Sequence, residues 1–312
     1  MFSPPFLTMM IQSDIIHYCM KCLYICNPMS GRKHKNNKLA INRLKQKYQT
    51  VDFVETQHKG HLTEILNQEY KNYDTIVLTG GDGTLDEAVN ALAEKQNAPA
   101  IGYIPSGTCN DVARSLGIPK NVNKAIDIIL RGNVFEYDLM KVNQRYCIYV
   151  CGIGVFTSTS YVAKQSAKRH FGWLAYFFCG LKDAFAGKTF DVKFENEQFT
   201  YQGKASLILF VNSKSVAGFK LNKRAVLDDG KVDVCIFCEK GRQKKVSLSS
   251  KIRIAQMFVF GYDRLKSNSR VKVFSTDHAK VQCCKTINCD GERGECADFE
   301  LKVIQKGIRI IC

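Results

Sequence analysis

From Met20 to about residue 135, short apolar β-type runs alternate with stretches of helical spacing. The strand-like runs are KCLYIC (21–26), VDFVET (51–56), DTIVLT (74–79) and PAIGYIP (99–105), and the helical stretches are 31–48, 58–70, 85–94 and 122–130. This alternation is typical of βα units around a parallel sheet. We therefore predict an open parallel α/β domain over residues 20–136.

Beyond Tyr137 the pattern changes to successive β-type runs with few helices. The runs are YCIYVCGIGV (146–155), FDVKFENEQFTYQG (190–203), ASLILFVN (205–212), KVDVCIFC (231–238), RVKVFST (270–276), KVQCC (280–284) and FELKVI (299–304). They predict an antiparallel β-sandwich domain over 137–312, whose last strand could return to the first domain. Two helical stretches interrupt it, at about Thr159–Ala186 and Lys245–Phe260. The first is rich in aromatic residues, which suits either core packing or the lining of an apolar cleft.

Length and composition support a folded chain of two domains. The 312 residues include 45% hydrophobic residues and only six prolines, which excludes a disordered or fibrous protein. The formal net charge of +16 favours an anionic partner: nucleic acid, a phosphorylated ligand or a negatively charged membrane. Because the chain has no RNP-type aromatic pair or helix-turn-helix pattern, we do not expect nucleic-acid binding. No apolar stretch approaches the ~20 residues that span a bilayer.

The N-terminus and the cysteines indicate a cytoplasmic protein. Residues 1–19 lack the basic start and the cleavage site of a signal peptide. Either they pack or fray against the domain or the natural start is Met20, and we expect the second, with 1–19 as an extra segment. The 14 cysteines are then expected to be reduced and mostly buried. A zinc site at Cys283, Cys284, Cys289 and Cys296, with His278 nearby, is the weaker alternative.

The most specific motif is TGGDGT, Thr79–Thr84, between a buried strand and the start of a helix. Glycines allow a tight turn and a close approach to a ligand, and the amides at a helix N-terminus bind phosphate. The motif lacks the GK[ST] of a Walker A loop and the GxGxxG spacing of a dinucleotide site. It predicts a phosphate-binding loop of another kind.

Two further loops follow strands of the same sheet. They are IPSGTCND (104–111) and CNPMSG (26–31). Because parallel strands end at one edge, we expect all three loops to form one crevice. There the Thr108 hydroxyl would suit phosphate or ribose oxygens, and Asp111 would anchor a neighbouring basic side chain.

A turn in the C-terminal half, NCDGE (288–292), carries two carboxylates around a glycine. In phosphoryl transfer a carboxylate can accept the proton of the attacking hydroxyl, and a second can serve beside it. A plain Asp-Gly hairpin turn is the alternative.

Together these motifs resemble the lipid kinase family that shares the diacylglycerol kinase catalytic domain, which includes bacterial soluble diacylglycerol kinases and sphingosine kinases. The resemblance runs from about Met20 to the C-terminus, on NPMSG (27–31), GGDGTLDEAVNAL (80–92), IPSGTCNDVARSLGIP (104–119), NSKSVAGFKLNKRAVLDDGKVDVCIF (212–237) and CDGE (289–292). GGDGT alone does not separate this family from NAD kinases, whereas the other blocks look like the lipid enzymes.

The resemblance implies that ATP lies between the two domains. The residues expected to contact it are Asn27, Pro28, Met29, Ser30, Gly31, Thr56, Gly81, Asp82, Gly83, Thr84, Leu85, Asp86, Glu87 and Thr108. Asp82 would organise metal and water beside the phosphates, and Glu292, with Asp290 next to it, would accept the proton of the lipid hydroxyl. A Mg²⁺ ion beyond the one bound with the nucleotide would be held structurally by Asp229 and the carbonyls of Val226 and Lys231. Asp86 and Ala91 depart from the family pattern.

The resemblance thus predicts an ATP-dependent lipid kinase of phospholipid metabolism that converts diacylglycerol to phosphatidic acid. A NAD kinase-like enzyme with a soluble acceptor and a non-catalytic basic lipid-binding protein are the alternatives. The basic clusters at 32–47, 214–224 and 240–253 would hold the enzyme at the anionic inner face of the membrane as a peripheral protein. A homodimer is left open.

Overall fold

A computed structural model describes residues 20–30, 37–154, 188–241, 244–265, 267–296 and 298–312. Three of the expectations lie outside the described residues: the extra segment 1–19, Gly31 and the aromatic-rich stretch Thr159–Ala186.

The N-terminal part is a parallel sheet with helices on it. Its strands are β1 (Lys21–Cys26), β2 (Thr50–Glu55), β3 (Thr75–Gly80) and β4 (Ala100–Pro105), in the spatial order β4-β3-β1-β2. Its helices are α1 (Asn37–Leu44), α2 (His61–Glu69), α3 (Asp82–Leu92), α4 (Asp111–Leu116) and α5 (Val122–Arg131). All six residues of β3 and of β4 are buried, as in a parallel sheet that is covered on both faces.

The C-terminal part is built of antiparallel strands. They are β5 (Val134–Val142), β6 (Arg145–Cys147), β7 (Val150–Ile153), β8 (Phe190–Glu195), β9 (Thr200–Val211), β10 (Val232–Glu239), β11 (Val271–Thr276), β12 (His278–Cys283), β13 (Thr286–Cys289), β14 (Glu292–Cys296) and β15 (Phe299–Ile311). Helix α6 (Leu248–Phe260) lies between β10 and β11. The predicted fold class is confirmed: a parallel α/β part followed by an antiparallel β part.

The last strand joins the two parts. β15 is antiparallel to β5 and β12, and at Ile310 and Ile311 it runs parallel to β4. The fifteen strands of the described residues therefore belong to one continuous hydrogen-bonded sheet. The boundary at residue 136, which lies inside β5, stays a prediction.

Two predicted runs each contain two strands. The run 146–155 contains the end of β6 and the whole of β7. The run 190–203 is divided by a turn at 196–199, in which the side chain of Asn196 accepts hydrogen bonds from the amides of Gln198 and Phe199. An asparagine side chain that bonds the amides just after it is a common way to make such a turn. Apolar residues alternate on both sides of the turn but change phase across it, from Phe194 to Phe199, and the prediction of one run overlooked this signal.

Two apolar cores stabilise the fold. The larger core packs the parallel sheet against its helices and extends to the inner face of α6. The smaller core fills the antiparallel part and is rich in aromatic residues around Phe194, whose ring lies 5.5–6.2 Å from those of Phe199, Phe210 and Phe274. Aromatic pairs at such distances contribute about 0.5–1.5 kcal/mol each beyond their burial.

The described cysteines fit the expected reduced state. All eleven are free thiols, and nine of them are buried, including Cys283 and Cys289 of the zinc alternative. Across the described residues, no group of three or more His, Cys, Asp or Glu side chains is placed to hold a metal ion. In the same part of the chain, no helix is both long enough and apolar enough to cross a bilayer.

We expect Phe194→Ala to lower the free energy of unfolding by about 3–5 kcal/mol, because Phe194 is fully buried among three aromatic rings and the cavity left behind would stay empty. Urea denaturation measures this. Val134→Ala, at a position that is 49% exposed, is the control and should change stability by less than about 0.5 kcal/mol. Equal losses in the two variants would contradict the assignment of Phe194 to the centre of the smaller core.

Candidate active site

Three polar loops meet at the carboxyl edge of the parallel sheet. The backbone amide of Asn27 donates to the carbonyl of Thr79 (2.9 Å), and the Asn27 side chain donates to Oγ1 of Thr84 (2.9 Å). The hydroxyls of Ser30 and Ser106 share a hydrogen bond of 2.8 Å. The loops after β1, β3 and β4 therefore form one polar crevice, as the order of parallel strands requires.

Two glycines allow the loops after β3 and β4 to touch. A Cβ atom on Gly107 would lie 2.6 Å from Cα of Gly81, and one on Gly81 would lie 3.3 Å from Cα of Gly107. Both contacts are with backbone, so neither could be relieved by rotating a side chain. A Cβ atom on Gly83 would meet nothing within 4 Å. The packing of the protein therefore requires glycine at Gly107, leaves little room for a side chain at Gly81 and leaves open space at Gly83.

A cavity of about 420 Å³ lies over these loops, which is within the size range of small-molecule sites. The residues predicted to contact the nucleotide that line it are Asn27, Met29, Ser30, Thr56, Gly81, Gly83, Thr84 and Glu87. Glu292, from the antiparallel part, lines the same cavity. The structure thus brings the glycine-rich loop and the predicted proton acceptor into one space.

The remaining predicted nucleotide contacts lie outside that lining. Pro28 and Thr108 are exposed residues of the turns after β1 and β4. Leu85 is fully buried in the larger core, so its side chain packs in the protein and only its backbone is left for a ligand. Asp82 and Asp86 have protein partners, which are described next.

Asp82 fastens the first turn of α3 to the start of α4. Its two carboxylate oxygens accept the backbone amides of Asn110 and Asp111, both at 2.7 Å. Burial and the neighbouring Asp111 carboxylate raise the pKa of Asp82 to about 6, and the two amides act in the opposite direction. The Asp82 carboxylate is therefore turned toward the loop after β4, whose two amides favour its ionised form.

Asp111 continues this connection into the antiparallel part. Its carboxylate accepts the hydroxyl of Ser215 (2.5 Å) and the backbone amides of Ala217 (2.6 Å) and Gly218 (2.8 Å). The sequence suggested a basic side chain as the partner, and this was wrong. Asp111 anchors a loop instead, because buried backbone amides need acceptors and a carboxylate can serve several at once.

Asp86, which departs from the family pattern, is a buried ion-pair partner. Oδ2 of Asp86 accepts from Arg145 at 2.6 Å, and Oδ1 accepts from the Asn90 side chain at 3.1 Å. Burial raises the pKa of Asp86, Arg145 lowers it, and the charge of Glu292 adds to the rise. The extra carboxylate thus joins helix α3 to strand β6 beneath the cavity.

Glu292 presents its carboxylate to the cavity from the turn between β13 and β14. Its side chain is 47% exposed, and Oε2 lies 3.0 Å from Nζ of Lys59. Lys59 follows β2 in the parallel part, so this ion pair crosses from one part of the protein to the other. An exposed pair of this kind contributes at most about 1 kcal/mol to stability, so both groups remain available to a ligand.

Asp290 is held inside the protein. Its backbone has a positive φ of 52°, and its carboxylate accepts the backbone amides of Ile148 (2.5 Å), Tyr149 (3.0 Å) and Val150 (2.9 Å). Burial and the nearby Asp86 raise the pKa of Asp290, whereas the three amides lower it. A role as second proton acceptor stays a prediction, and the geometry gives Asp290 a positioning role beneath Glu292.

The predicted metal loop is exposed and supplies oxygen donors. Val226, Asp229 and Lys231 are all exposed, and Oδ1 of Asp229 accepts the amide of Lys231 at 3.0 Å. Behind the loop, the Asp138 carboxylate accepts the amides of Gly230 (2.6 Å) and Lys306 (2.7 Å). A carboxylate and main-chain carbonyls are the ligand types that hard cations prefer.

Sequence reasoning missed the segment after β2. Gln57, His58, Lys59 and Leu62 line the cavity together with Thr56. β2 is the parallel neighbour of β1, so its carboxyl end lies at the same edge of the sheet as the other three loops. Because the carboxyl ends of parallel strands share one edge, the position of β2 could have identified this segment, although its sequence, QHK (57–59), carries no recognisable motif.

We expect Gly107→Ala to lower the free energy of unfolding by about 1–3 kcal/mol, because the added methyl group would press on the backbone of Gly81. Gly83→Ala is the matched control. It replaces a glycine of the same crevice where the methyl group meets open space, and it should leave stability unchanged or raise it by up to about 1 kcal/mol. Guanidinium denaturation measures the stability of both variants. Equal losses would contradict the view that the close contact between the two loops is what requires glycine at position 107.

We expect Asp290→Ala to cost about 3 kcal/mol or more in unfolding free energy, because three buried amides would lose their acceptor. Glu292→Ala, two residues away but exposed, should cost less than about 1 kcal/mol. Urea denaturation compares the two. If both variants were equally stable, Asp290 would not be the anchor of this turn.

The sequence and the fold are both similar to those of known kinases. The diacylglycerol kinase catalytic domain model matches residues 21–142. The diacylglycerol kinase of Staphylococcus saprophyticus is 36% identical over 210 residues, which are 66% of this chain and 69% of that protein. A crystal structure of a diacylglycerol kinase from Bacillus anthracis str. Sterne superposes with a TM-score of 0.77 at 23% identity, covering 93% of this chain and 96% of that one, and shows the same fold.

The likeness also extends over nearly the whole chain. The diacylglycerol kinase of Bacillus subtilis (strain 168) is 33% identical over 301 residues, which cover 92% of this chain and 94% of that protein. On this similarity, and with the family motifs gathered around one cavity, the chain belongs to the diacylglycerol kinase family and is a lipid kinase.

Proposed function

We propose that this enzyme transfers the γ-phosphate of ATP to the hydroxyl of diacylglycerol and so makes phosphatidic acid. The observation that supports this most is the single cavity in which the glycine-rich loop after β3 faces Glu292 of the antiparallel part. The relatives named diacylglycerol kinase supply the choice of acceptor.

The parallel part offers the surroundings that a triphosphate needs. Helix α3 begins at the cavity, where Gly81, Gly83 and Thr84 are part of the lining, so the positive end of the helix dipole lies next to an anion bound there. Asn27, Ser30 and Thr84 add polar groups around this helix end, and Lys59 adds a positive charge. In this proposal the phosphates lie over the first turn of α3, with the γ-phosphate toward Lys59 and Glu292.

Glu292 would act on the acceptor. An exposed carboxylate at the edge of the cavity can accept the proton of the lipid hydroxyl while the hydroxyl oxygen attacks the γ-phosphorus. The bond between the γ-phosphorus and the oxygen that bridges it to the β-phosphate breaks in the same step. Asp290 would hold the turn through its three amide bonds and keep this carboxylate in place. ADP is the leaving group, and Lys59 would offset part of the charge on the transferred group.

Mg²⁺ is part of the proposal. An ion bound with the nucleotide would offset negative charge on the phosphates. A further ion with a structural role would be held by the loop with the Asp229 carboxylate and the carbonyls of Val226 and Lys231, whose oxygen ligands suit a hard cation. The buried Asp138 fixes the backbone of that loop from behind through Gly230.

Diacylglycerol lies in membranes, so the enzyme must reach a lipid surface. We propose that it works in the cytoplasm as a peripheral protein on an anionic membrane face. The net charge of +16 and the basic clusters of the sequence support this attraction, since each Lys or Arg near such a surface contributes ~1 kcal/mol.

We expect Glu292→Gln to lower the rate of phosphate transfer to diacylglycerol by about 100-fold or more, because the amide cannot accept the hydroxyl proton. The assay measures transfer of radiolabelled phosphate from ATP to dispersed diacylglycerol. Glu94→Gln is the control. Glu94 is also an exposed carboxylate in an ion pair, with Lys141, but it lies outside the cavity lining. Wild-type turnover in Glu292→Gln would exclude Glu292 as the proton acceptor.

The same assay tests the alternative functions. Sphingosine, ceramide and isoprenols are offered in parallel, with NAD as the aqueous acceptor. Phosphorylation of NAD without lipid would favour a NAD kinase-like enzyme, and no ATP consumption with any acceptor would favour a binding protein.

A further inference from the structure

Helix α6 carries an apolar surface that faces away from the protein. Its inner face packs on the larger core through Ile254, Met257 and Phe258. Four large apolar side chains point outward, and they are exposed to 74% (Leu248), 51% (Ile252), 70% (Val259) and 52% (Phe260). Large apolar residues gathered in this way on a surface mark a site of interaction.

The exposed residues are arranged along one side of the helix. With 3.6 residues per turn, Leu248, Ile252 and Val259 lie within about 40° of one another around the helix axis, and Phe260 extends the surface at the C-terminal end. We call these four residues the outer stripe. Lys251 and Arg253 lie on either side of it, and Arg264 lies over the Phe260 ring at 5.8 Å from its centroid.

The charge around the outer stripe is mostly positive. Residues 240–262 contain six basic residues and no acidic residue, and Glu239 and Asp263 lie just beyond the two ends of this segment. An apolar stripe with Lys and Arg beside it is the composition of helices that lie in the interface of an anionic bilayer. A second copy of the chain would bring the same positive charges to the same surface, so the pattern opposes self-association there.

The position of α6 connects it to the proposed active site. The Phe258 ring packs edge-on against Phe219, with 6.0 Å between centroids, and the amide of Tyr262 donates to the carbonyl of Leu221 (2.9 Å). Phe219 directly follows the loop whose amides bind Asp111. The amide of Asp111 donates to the Asp82 carboxylate. A series of contacts therefore runs from α6 through Phe219 and Asp111 to the loop after β3, which forms one wall of the crevice.

We propose that the outer stripe of α6 is the surface with which this kinase docks on an anionic phospholipid bilayer, with Leu248, Ile252, Val259 and Phe260 inserted among the headgroups and Lys251 and Arg253 contacting the lipid phosphates. This inference rests on the proposed function, in which the acceptor is a membrane lipid. It names the surface that brings the cavity to that lipid.

The test is flotation of the full chain with vesicles of phosphatidylglycerol and phosphatidylcholine. The double variant Leu248→Ser with Val259→Ser is expected to bind at least about tenfold more weakly, because two large side chains no longer enter the apolar layer. Lys251→Gln with Arg253→Gln is expected to weaken binding to a similar degree and to reduce its dependence on salt. Val134→Ser, an exposed apolar residue of β5, is the matched control and should bind like the wild type.

A second measurement separates docking from catalysis. Phosphate transfer to a short-chain diacylglycerol dissolved as monomers should be the same in the wild type and in both double variants, since none of these residues lines the cavity. Reduced flotation with unchanged transfer to the soluble substrate supports the proposal. Unchanged flotation of the apolar double variant overturns it, as does a wild-type protein that does not float.

The remaining outcomes are also decisive. A wild-type chain that is dimeric by light scattering, and becomes monomeric in the apolar variant while still floating, would make the outer stripe a subunit interface and would overturn the proposal. Wild-type flotation that depends on the outer stripe, without phosphorylation of any diacylglycerol, would support docking and reject the proposed acceptor. Transfer to the soluble substrate by a wild type that never floats would leave the proposed function standing and reject the docking surface.

Discussion

The site depends on buried carboxylates that accept main-chain amides from another segment of the chain. Asp82 receives two amides from the start of α4, Asp111 two from the loop before Phe219, and Asp290 three from residues 148–150. Each of these bonds fixes a loop that has no regular partner of its own. A buried amide left without an acceptor costs about 1–3 kcal/mol, so removing one such carboxylate would release a whole loop.

This arrangement divides the acidic residues into two groups. Asp111 and Asp290 are buried and Asp82 is partly buried, and the amides that each of them accepts keep its carboxylate oxygens turned into the protein. Glu292 is exposed, and the side chain of its partner Lys59 is 84% exposed. Of these carboxylates, Glu292 is therefore the one whose geometry suits proton transfer with a substrate. The aspartates position the surfaces between which that transfer would occur.

Much of the fold and of the candidate site could be predicted from the sequence, because strand–helix alternation is a local pattern and the shared edge of parallel strands follows from topology. The alternation of strands and helices predicts the parallel sheet, and the shared edge of parallel strands predicts that TGGDGT and IPSGTCND meet. The partners of Asp86 and Asp111 could not be predicted in this way. Arg145, which pairs with Asp86, lies 59 residues away, and the partners of Asp111 lie 104 or more residues away, on elements whose placement depends on how the antiparallel part folds back. The carboxylates of Asp290 and Glu292 look alike in sequence, and only burial separates them.

The return of β15 explains how the antiparallel part can act on a site of the parallel part. Its first residues pair with β12 and its last residues with β4, so one strand of thirteen residues fixes the two parts in register. The turn that carries Glu292 is only a few residues before this strand, and Asp290 ties it to the start of β7. The distance between Glu292 and the glycine-rich loop is thus set by hydrogen-bonded sheet rather than by a flexible linker. In the proposed reaction the proton acceptor is therefore held by the sheet, and α6 contacts the segment next to the loop that Asp111 holds, so a bilayer docked on α6 would be connected to the crevice through packed protein.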